Sequence, residues 1–475
     1  MDFLSIDEVH DWGATLDFET PPSSPESDTL LTDHDSVQEE SEVIHYPVLT
    51  LPVELTSEIF CWTLVAPWPE VEGTPLEGPL RLGQICRLWR EIALSTPALW
   101  TSLHLPLRRR IPESYLSRIQ TVLSRTASLP LTISLTAQYR VQGDSEALRL
   151  RAMEEILNVL APHSRTWAEI SFKTPPDPLN ALHSIHHQVP QLTSLELLLE
   201  FTPADGTVGT MFNHAPMLRN VHLSRFGSQR LALPWTQLTS LHVDSSRLHQ
   251  LAETISWTPN LVELIVGDIT EGGPLPHIPA LPHLKSLIFT ITSPYLQPII
   301  LSLLDAQVRK LKIGVYDLAP LLPTMAHPTA VEELSIDLDT LGVNSTSIES
   351  LTSMSSVRTL KIAAHDLTRF TGFSFQPIVS RLTQDPLFLP ALESLTFILL
   401  QRSSVEDDYP ADIDNLSDML CVRWNNGIGL QRFEFLSRRA LPDLDHRQVD
   451  LIAQGMQIRL ETLPGLEVDF CRAEF

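Results

Sequence analysis

The sequence predicts an α/β protein in which a small helical unit precedes a long repeat solenoid, with a disordered acidic stretch ahead of both. Three observations predict it. A hexamer of the form L-x-x-L-x-L recurs from residue 166 to the end of the 475-residue chain. Two apolar stretches of helical period flank a proline-rich loop before residue 106, and residues 1–46 hold 13 Asp or Glu and no Lys or Arg. An apolar period of two reads as a short half-buried strand and a period of three to four as a helix. An acid-only segment buries too little apolar surface to order itself.

Along the chain, residues 1–46 include "TPPSSPESD" and "DHDSVQEESE", a self-repelling segment expected to be a disordered tail. Thr20-Pro21 and Ser24-Pro25 fit proline-directed phosphorylation, which would deepen its charge. From residue 47 the pattern changes. Leu51, Leu55, Ile59 and Trp62 fall at helical spacing, with Thr50 as N-cap and Pro52 in the first turn. "APWPEVEGTPLEGP" reads as a loop, and a second helix carries Leu82, Ile85, Cys86, Trp89, Ile92 and Ala93 until Thr96-Pro97 stops it.

Two short helices bury little alone, so the stripe bearing Trp89 is expected to face a partner. Trp100 opens "WTSLHL", which has the repeat spacing, and is expected to pack as the joint with the solenoid. Residues 107–165 are expected to be a helical linker or N-terminal cap, helical in "PESYLSRIQTVLSRTA" and "SEALRLRAMEEILNVLAPHS" with a strand-like "LPLTISLTA" between them.

Residues 166–475 carry the repeat. Its copies begin at Leu192, Leu218, Leu238, Leu261, Leu284, Val308, Val331, Val357, Leu392, Leu430 and Leu463, with "WAEISF" at Trp167 one step earlier. Most steps lie in the twenties, the period of leucine-rich repeats, and the longer last ones hold insertions such as "SSVEDDYPADID". Positions four and six of each unit point inward. Positions three and five project to the concave side: Ser194 and Glu196, Asn220 and His222, Ser240 and His242, Lys310 and Lys312, Glu333 and Ser335, Thr359 and Lys361. The chain has five lysines, and three of them lie on this face. Lys310, Lys312, Lys361, His222 and His242 are therefore the candidate target-binding residues, suited to an acidic or phosphorylated segment, with Glu333 and Asp337 as competing partners for the lysines.

"LPVELTSEIF" followed by "ICRLWREIALSTPALW" resembles an F-box, in particular the F-box-like domains of fungal proteins, over residues 47–106. Leucine-rich repeats are a common companion in that family. The resemblance implies a non-catalytic substrate receptor of a Skp-cullin-F-box ubiquitin ligase. Leu51, Pro52, Leu55, Ile59, Leu82, Ile85, Cys86, Trp89 and Ile92 would dock on a Skp-type adaptor, which links to a cullin scaffold, and the repeats would hold an unidentified target protein. The sequence departs from the family in its long loop between Phe60 and Leu82. Where a buried Asn or Cys often follows the hexamer, it has Glu200, Phe226, Ser246, Ile269 and Thr292, which predicts irregular turns.

Other classes find little support. A net charge of −25 disfavours nucleic acid and anionic membranes as partners. Cys61, Cys86, Cys421 and Cys471 lack metal-site or disulfide spacing, His186-His187 reads as a turn, and the acids at 406–409 read as solvated, so no metal, cofactor or catalytic residue is expected. No phosphate loop or G-x-S-x-G occurs. With neither a signal-peptide pattern nor a long apolar run, a cytoplasmic or nuclear location is expected. The alternatives are a leucine-rich-repeat scaffold without a ligase role and, from another class, a parallel β-helix enzyme acting on carbohydrate.

Overall fold

A computed structural model describes residues 50–65, 77–107, 113–137, 144–175, 177–185, 188–199, 209–225, 231–244, 246–271, 278–290, 303, 308–315, 330–338, 351–352, 354–364, 375–399, 412–427, 429–437 and 444–462. The tail and its Ser/Thr-Pro pairs, the loop after Val65, His186-His187, the acids at 406–409 and the unit at Leu463 lie outside them. The chain divides into Met1–Leu51, of which only Thr50 and Leu51 are described, and Pro52–Phe475.

The second unit begins with helices α1 (Val53–Val65), α2 (Glu77–Ile85) and α3 (Arg87–Ser95) and a 3-10 turn Pro97–Trp100. One helix was expected where α2 and α3 stand. The backbone breaks at Cys86, whose φ of −155° and ψ of 169° are extended and whose Sγ accepts the Trp89 amide at 3.4 Å, capping α3. Arg90 Nε donates to the Gly83 carbonyl at 2.8 Å and ties the two helices together.

The strands that follow are β1 (Ser102–Leu107), β2 (Leu131–Ala137), β3 (Trp167–Thr174), β4 (Ser194–Leu199), β5 (Asn220–Ser224), β6 (Ser240–Asp244), β7 (Ser246–Arg247) and β8 (Glu263–Val266). The rest are β9 (Ile269–Glu271), β10 (Ser286–Phe289), β11 (Lys310–Val315), β12 (Glu333–Leu338), β13 (Thr359–Ala364), β14 (Ser394–Leu399), β15 (Arg432–Ser437) and β16 (Gln457–Thr462). All except β7 and β9 form one 14-stranded sheet in sequence order, every pair parallel. Parallel neighbours need a crossover, and here α4 (Glu113–Arg125), α5 (Asp144–Leu160) and 3-10 turns such as Asp177–Ile185 supply it. The result is a mixed α/β, leucine-rich-repeat-like solenoid to whose main sheet each unit gives one strand. Its sheet starts at Ser102 and includes β2, so the ladder already runs through the stretch 107–165.

Each unit is built as the hexamer dictates. In β4, Leu195 and Leu197 are wholly buried while Ser194 and Glu196 are half-exposed on the opposite face. One continuous core runs from Phe60 through the strand leucines to Met456. Fully burying such a leucine contributes about 1.5–3 kcal/mol. Trp100 belongs to this core: its Nε1 donates to the Ala93 carbonyl at 2.9 Å and the Arg125 guanidinium lies 4.6 Å from its ring centre. It is the joint between helices and sheet.

Among the described residues no asparagine ladder stacks the turns. Side chains reach back to the preceding unit instead: Thr193 Oγ1 to the Ala168 carbonyl at 3.0 Å, Asn260 Nδ2 to Thr236 at 2.7 Å and Ser356 Oγ to Val331 at 2.8 Å. At two of the positions expected to be irregular, Ser246 and Ile269, the chain makes the small parallel sheet β7–β9. Late in the solenoid, Arg423 is fully buried and donates from Nε to the Leu382 carbonyl at 3.0 Å, from Nη1 to Leu389 at 3.3 Å and from Nη2 to Phe388. Three carbonyls, one of them at the end of helix Gln376–Gln384, thereby find donors inside the core.

Candidate functional sites

The helical unit exposes apolar side chains while contributing Phe60, Ile92 and Ala93 to the common core. Thr56 and Phe60 define the buried face of α1. Leu55, Ile59 and Trp62, spaced four and three apart, line another face and are 49%, 41% and 68% exposed. Ile85 at the end of α2 and Leu88 on α3 are also exposed. α1 is therefore apolar on two faces, of which its own chain covers one.

The nine residues expected to dock on an adaptor separate accordingly. Pro52, Leu55, Ile59 and Ile85 are exposed, as is Leu51 in the first unit. Leu82 and Trp89 are half-buried against the core, with the Trp89 ring edge-on to Phe60 at 4.9 Å, and Cys86 caps α3. Ile92 is 3% exposed, and its expected docking role is corrected: it turns inward beside Ala93 and supports the unit. The part of the stripe around Trp89 and Ile92 is thus inward-facing, with Phe60 of α1 against Trp89 and Trp100 against Ala93, while Ile85 remains exposed. Val53, Leu80, Leu88 and Leu94, all exposed, had not been singled out. The signal for them was an apolar residue off the inward stripe of its helix.

On the outward face of the sheet the parallel register aligns position five of successive units. His222 stands beside Glu196 and His242, and Lys312 beside Ser335, which adjoins Lys361. Ile265 and Ile288 occupy the same row between these groups.

The histidine end is tightly organised. The rings of His222 and His242 stack with centroids 3.6 Å apart and planes 8° from parallel. His222 Nδ1 meets Glu196 Oε1 at 2.8 Å and its Nε2 meets Asp244 Oδ2 at 2.9 Å, while His242 Nε2 meets Asp244 Oδ1 at 3.2 Å. Ser171 Oγ donates to Glu196. Burial opposes charge on His222, but its bonds to Asp244 and Glu196 outweigh that and raise its pKa above 6.5. Burial likewise opposes charge on Asp244, and its bonds to the two histidines reverse the effect, holding its pKa far below 3.8. Gly267 makes room for this carboxylate: a Cβ there would fall 1.6 Å from Asp244 Oδ1.

At the lysine end each cation has acidic company. Lys310 Nζ lies 3.8 Å from Glu333 and Lys312 Nζ lies 3.1 Å from Asp337. Burial, then the charge of Lys312, pulls the Lys361 ammonium down from 10.5 to about 8, against Asp337 and Glu434. The expected selectivity for anions is therefore tempered, since the competing carboxylates are in place. Among the described residues no helix is long and apolar enough to cross a membrane.

Fold and sites define a leucine-rich-repeat-like solenoid carrying an exposed apolar helical unit at one end of its sequence and a polar sheet face. No family model matches the chain, and no curated protein matches it. Among solved structures it is similar to the functional domain of InlJ from Listeria monocytogenes, described as including a cysteine ladder, at 12% identity and a TM-score of 0.28. That likeness covers 77% of this chain and 64% of the other, less than two thirds of its length. A likeness so distant adds nothing to the architecture read from the strands.

Proposed function

We propose that the protein is a non-catalytic substrate receptor of a Skp-cullin-F-box type ubiquitin ligase, acting in the cytoplasm or nucleus. The helical unit docks on a Skp-type adaptor and the outward sheet face holds a target protein. The observation that carries the reading is the exposure of Leu55, Ile59 and Trp62 on a helix whose other face is already packed. Exposed apolar side chains at helical spacing are the anchors by which one helical surface engages another, and Leu55 and Ile59 belong to the stretch that resembles an F-box. The sheet face offers the target two polar ends flanking Ile265 and Ile288, one of histidine and acid, one of lysine and acid.

The test is capture by the full-length chain of a purified Skp-type adaptor and, through it, of a cullin. The wild type is expected to retain both, and a Leu55→Glu/Ile59→Glu variant neither. Equal capture by the two forms, or by neither, overturns the reading and leaves a repeat scaffold without a ligase role.

A further inference from the structure

We propose that His222, His242 and Asp244 form a binding site for a divalent transition-metal ion of the zinc class on the outward face of the solenoid. One donor atom from each of the three residues lies within 4.8 Å of the others. Zinc binds imidazole nitrogen and carboxylate oxygen at about 2.0–2.2 Å, so tetrahedral donors stand about 3.3 Å apart. The Nε2 atoms here lie 2.9 Å and 3.2 Å from the Asp244 oxygens, and an ion held by both nitrogens requires the two rings, stacked 8° from parallel, to turn out of their stack toward it. Two imidazoles and one carboxylate make a borderline donor set, suited to zinc, cobalt or nickel rather than to calcium or magnesium.

The surroundings are those of a metal site rather than a chance cluster. Glu196 engages His222 Nδ1 at 2.8 Å, and Ser171 in turn holds Glu196, so an ion at Nε2 would replace only the bond that this nitrogen makes to Asp244. A carboxylate behind a ligating histidine fixes its tautomer and ring orientation. With both imidazoles neutral, Glu196 and Asp244 supply two negative charges to balance a divalent cation. Gly267, the residue after β8, leaves the space that the Asp244 carboxylate fills. The side chains of His222, His242 and Asp244 are 22%, 19% and 30% exposed, so an ion can enter and keep a coordination position open to water or to a side chain of a bound protein. The site stands independently of adaptor docking, since its residues lie on β5 and β6.

The experiment titrates the purified full-length chain with Co²⁺, read by visible absorption, and with Zn²⁺, read by calorimetry. One ion per chain is expected. His242→Ala and Asp244→Asn should weaken binding more than about 100-fold, and Glu196→Gln about 10–100-fold. His104→Ala, an exposed histidine on β1, should leave binding unchanged. X-ray absorption of the zinc-loaded wild type should show two imidazole ligands, a result that does not depend on how any variant folds. Absence of a stoichiometric ion, affinity unaltered in His242→Ala and Asp244→Asn, or a spectrum without imidazole pairs overturns the proposal and leaves the cluster as a stacked histidine pair held by carboxylates.

Discussion

His222 and His242 lie in different repeats, yet their rings stack 3.6 Å apart, and both present Nε2 to the carboxylate of Asp244. The contact exists because the parallel register places position five of one unit against position five of the next. Its titration follows from the same geometry. The raised pKa of His222 means that its stabilisation is complete below 6.5 and is lost as pH rises through the raised value. The lowered pKa of Asp244 means that its stabilisation is present above 3.8 and is lost as pH falls toward the depressed value. These are two descriptions of one interaction. The difference in unfolding free energy between wild type and Asp244→Asn is expected to be largest between about pH 4 and 6.5. Denaturant melts across pH, with the His222 resonances followed by NMR, check it; a difference independent of pH contradicts it.

Gly267→Ala should act on the same cluster without replacing any titrating residue. The new Cβ would overlap the Asp244 carboxylate, so the carboxylate must move and its bonds to both histidines must lengthen. A loss of about 1–3 kcal/mol is expected, as for other overpacked sites. The pKa of His222 should fall with it. Denaturation and imidazole titration measure the two effects together.

Arg423→Met tests the buried guanidinium. The substitution keeps much of the volume but leaves the carbonyls of Leu382, Phe388 and Leu389 without that donor. Each hydrogen bond to a charged donor contributes about 1.5–3 kcal/mol, and unsatisfied buried carbonyls add to the loss. A destabilisation of about 2–5 kcal/mol is expected by chemical denaturation. An unchanged midpoint would show that water or a shifted backbone replaces the arginine.

Trp100→Phe should loosen the joint between helices and sheet. It removes the bond to Ala93 and weakens the stacking of Arg125 on the ring. About 1–3 kcal/mol is expected from the two effects. Hydrogen exchange should quicken first in α3 and β1, the elements that Trp100 connects.

Much of this architecture was legible in the hexamer, because a buried parallel strand needs an apolar residue at every second position and little else. The same rule explains its misses. β16 escaped notice because Gly455, with φ of +106°, stands where the unit's leading leucine would be, leaving only Ile458 and Leu460 as signal. Asp244 lies one residue past its hexamer, so its convergence with His222 and His242 depends on strand register and on the small volume of Gly267. Ile92 was misread because helical spacing identifies an apolar stripe but not what covers it. Arg423 gave no warning, since its acceptors are backbone carbonyls and leave no mark in side-chain identity.

The claim that the helical unit docks on an adaptor is tested most directly by calorimetry of the full-length chain against a purified Skp-type adaptor, beside Leu55→Glu/Ile59→Glu. Anchor residues of this kind contribute about 2 kcal/mol or more each, so the account predicts at least about a 100-fold loss of affinity. Exposed substitutions should leave the denaturation midpoint nearly unchanged. Binding of equal strength by both forms, or no heat of binding to the wild type, would contradict it.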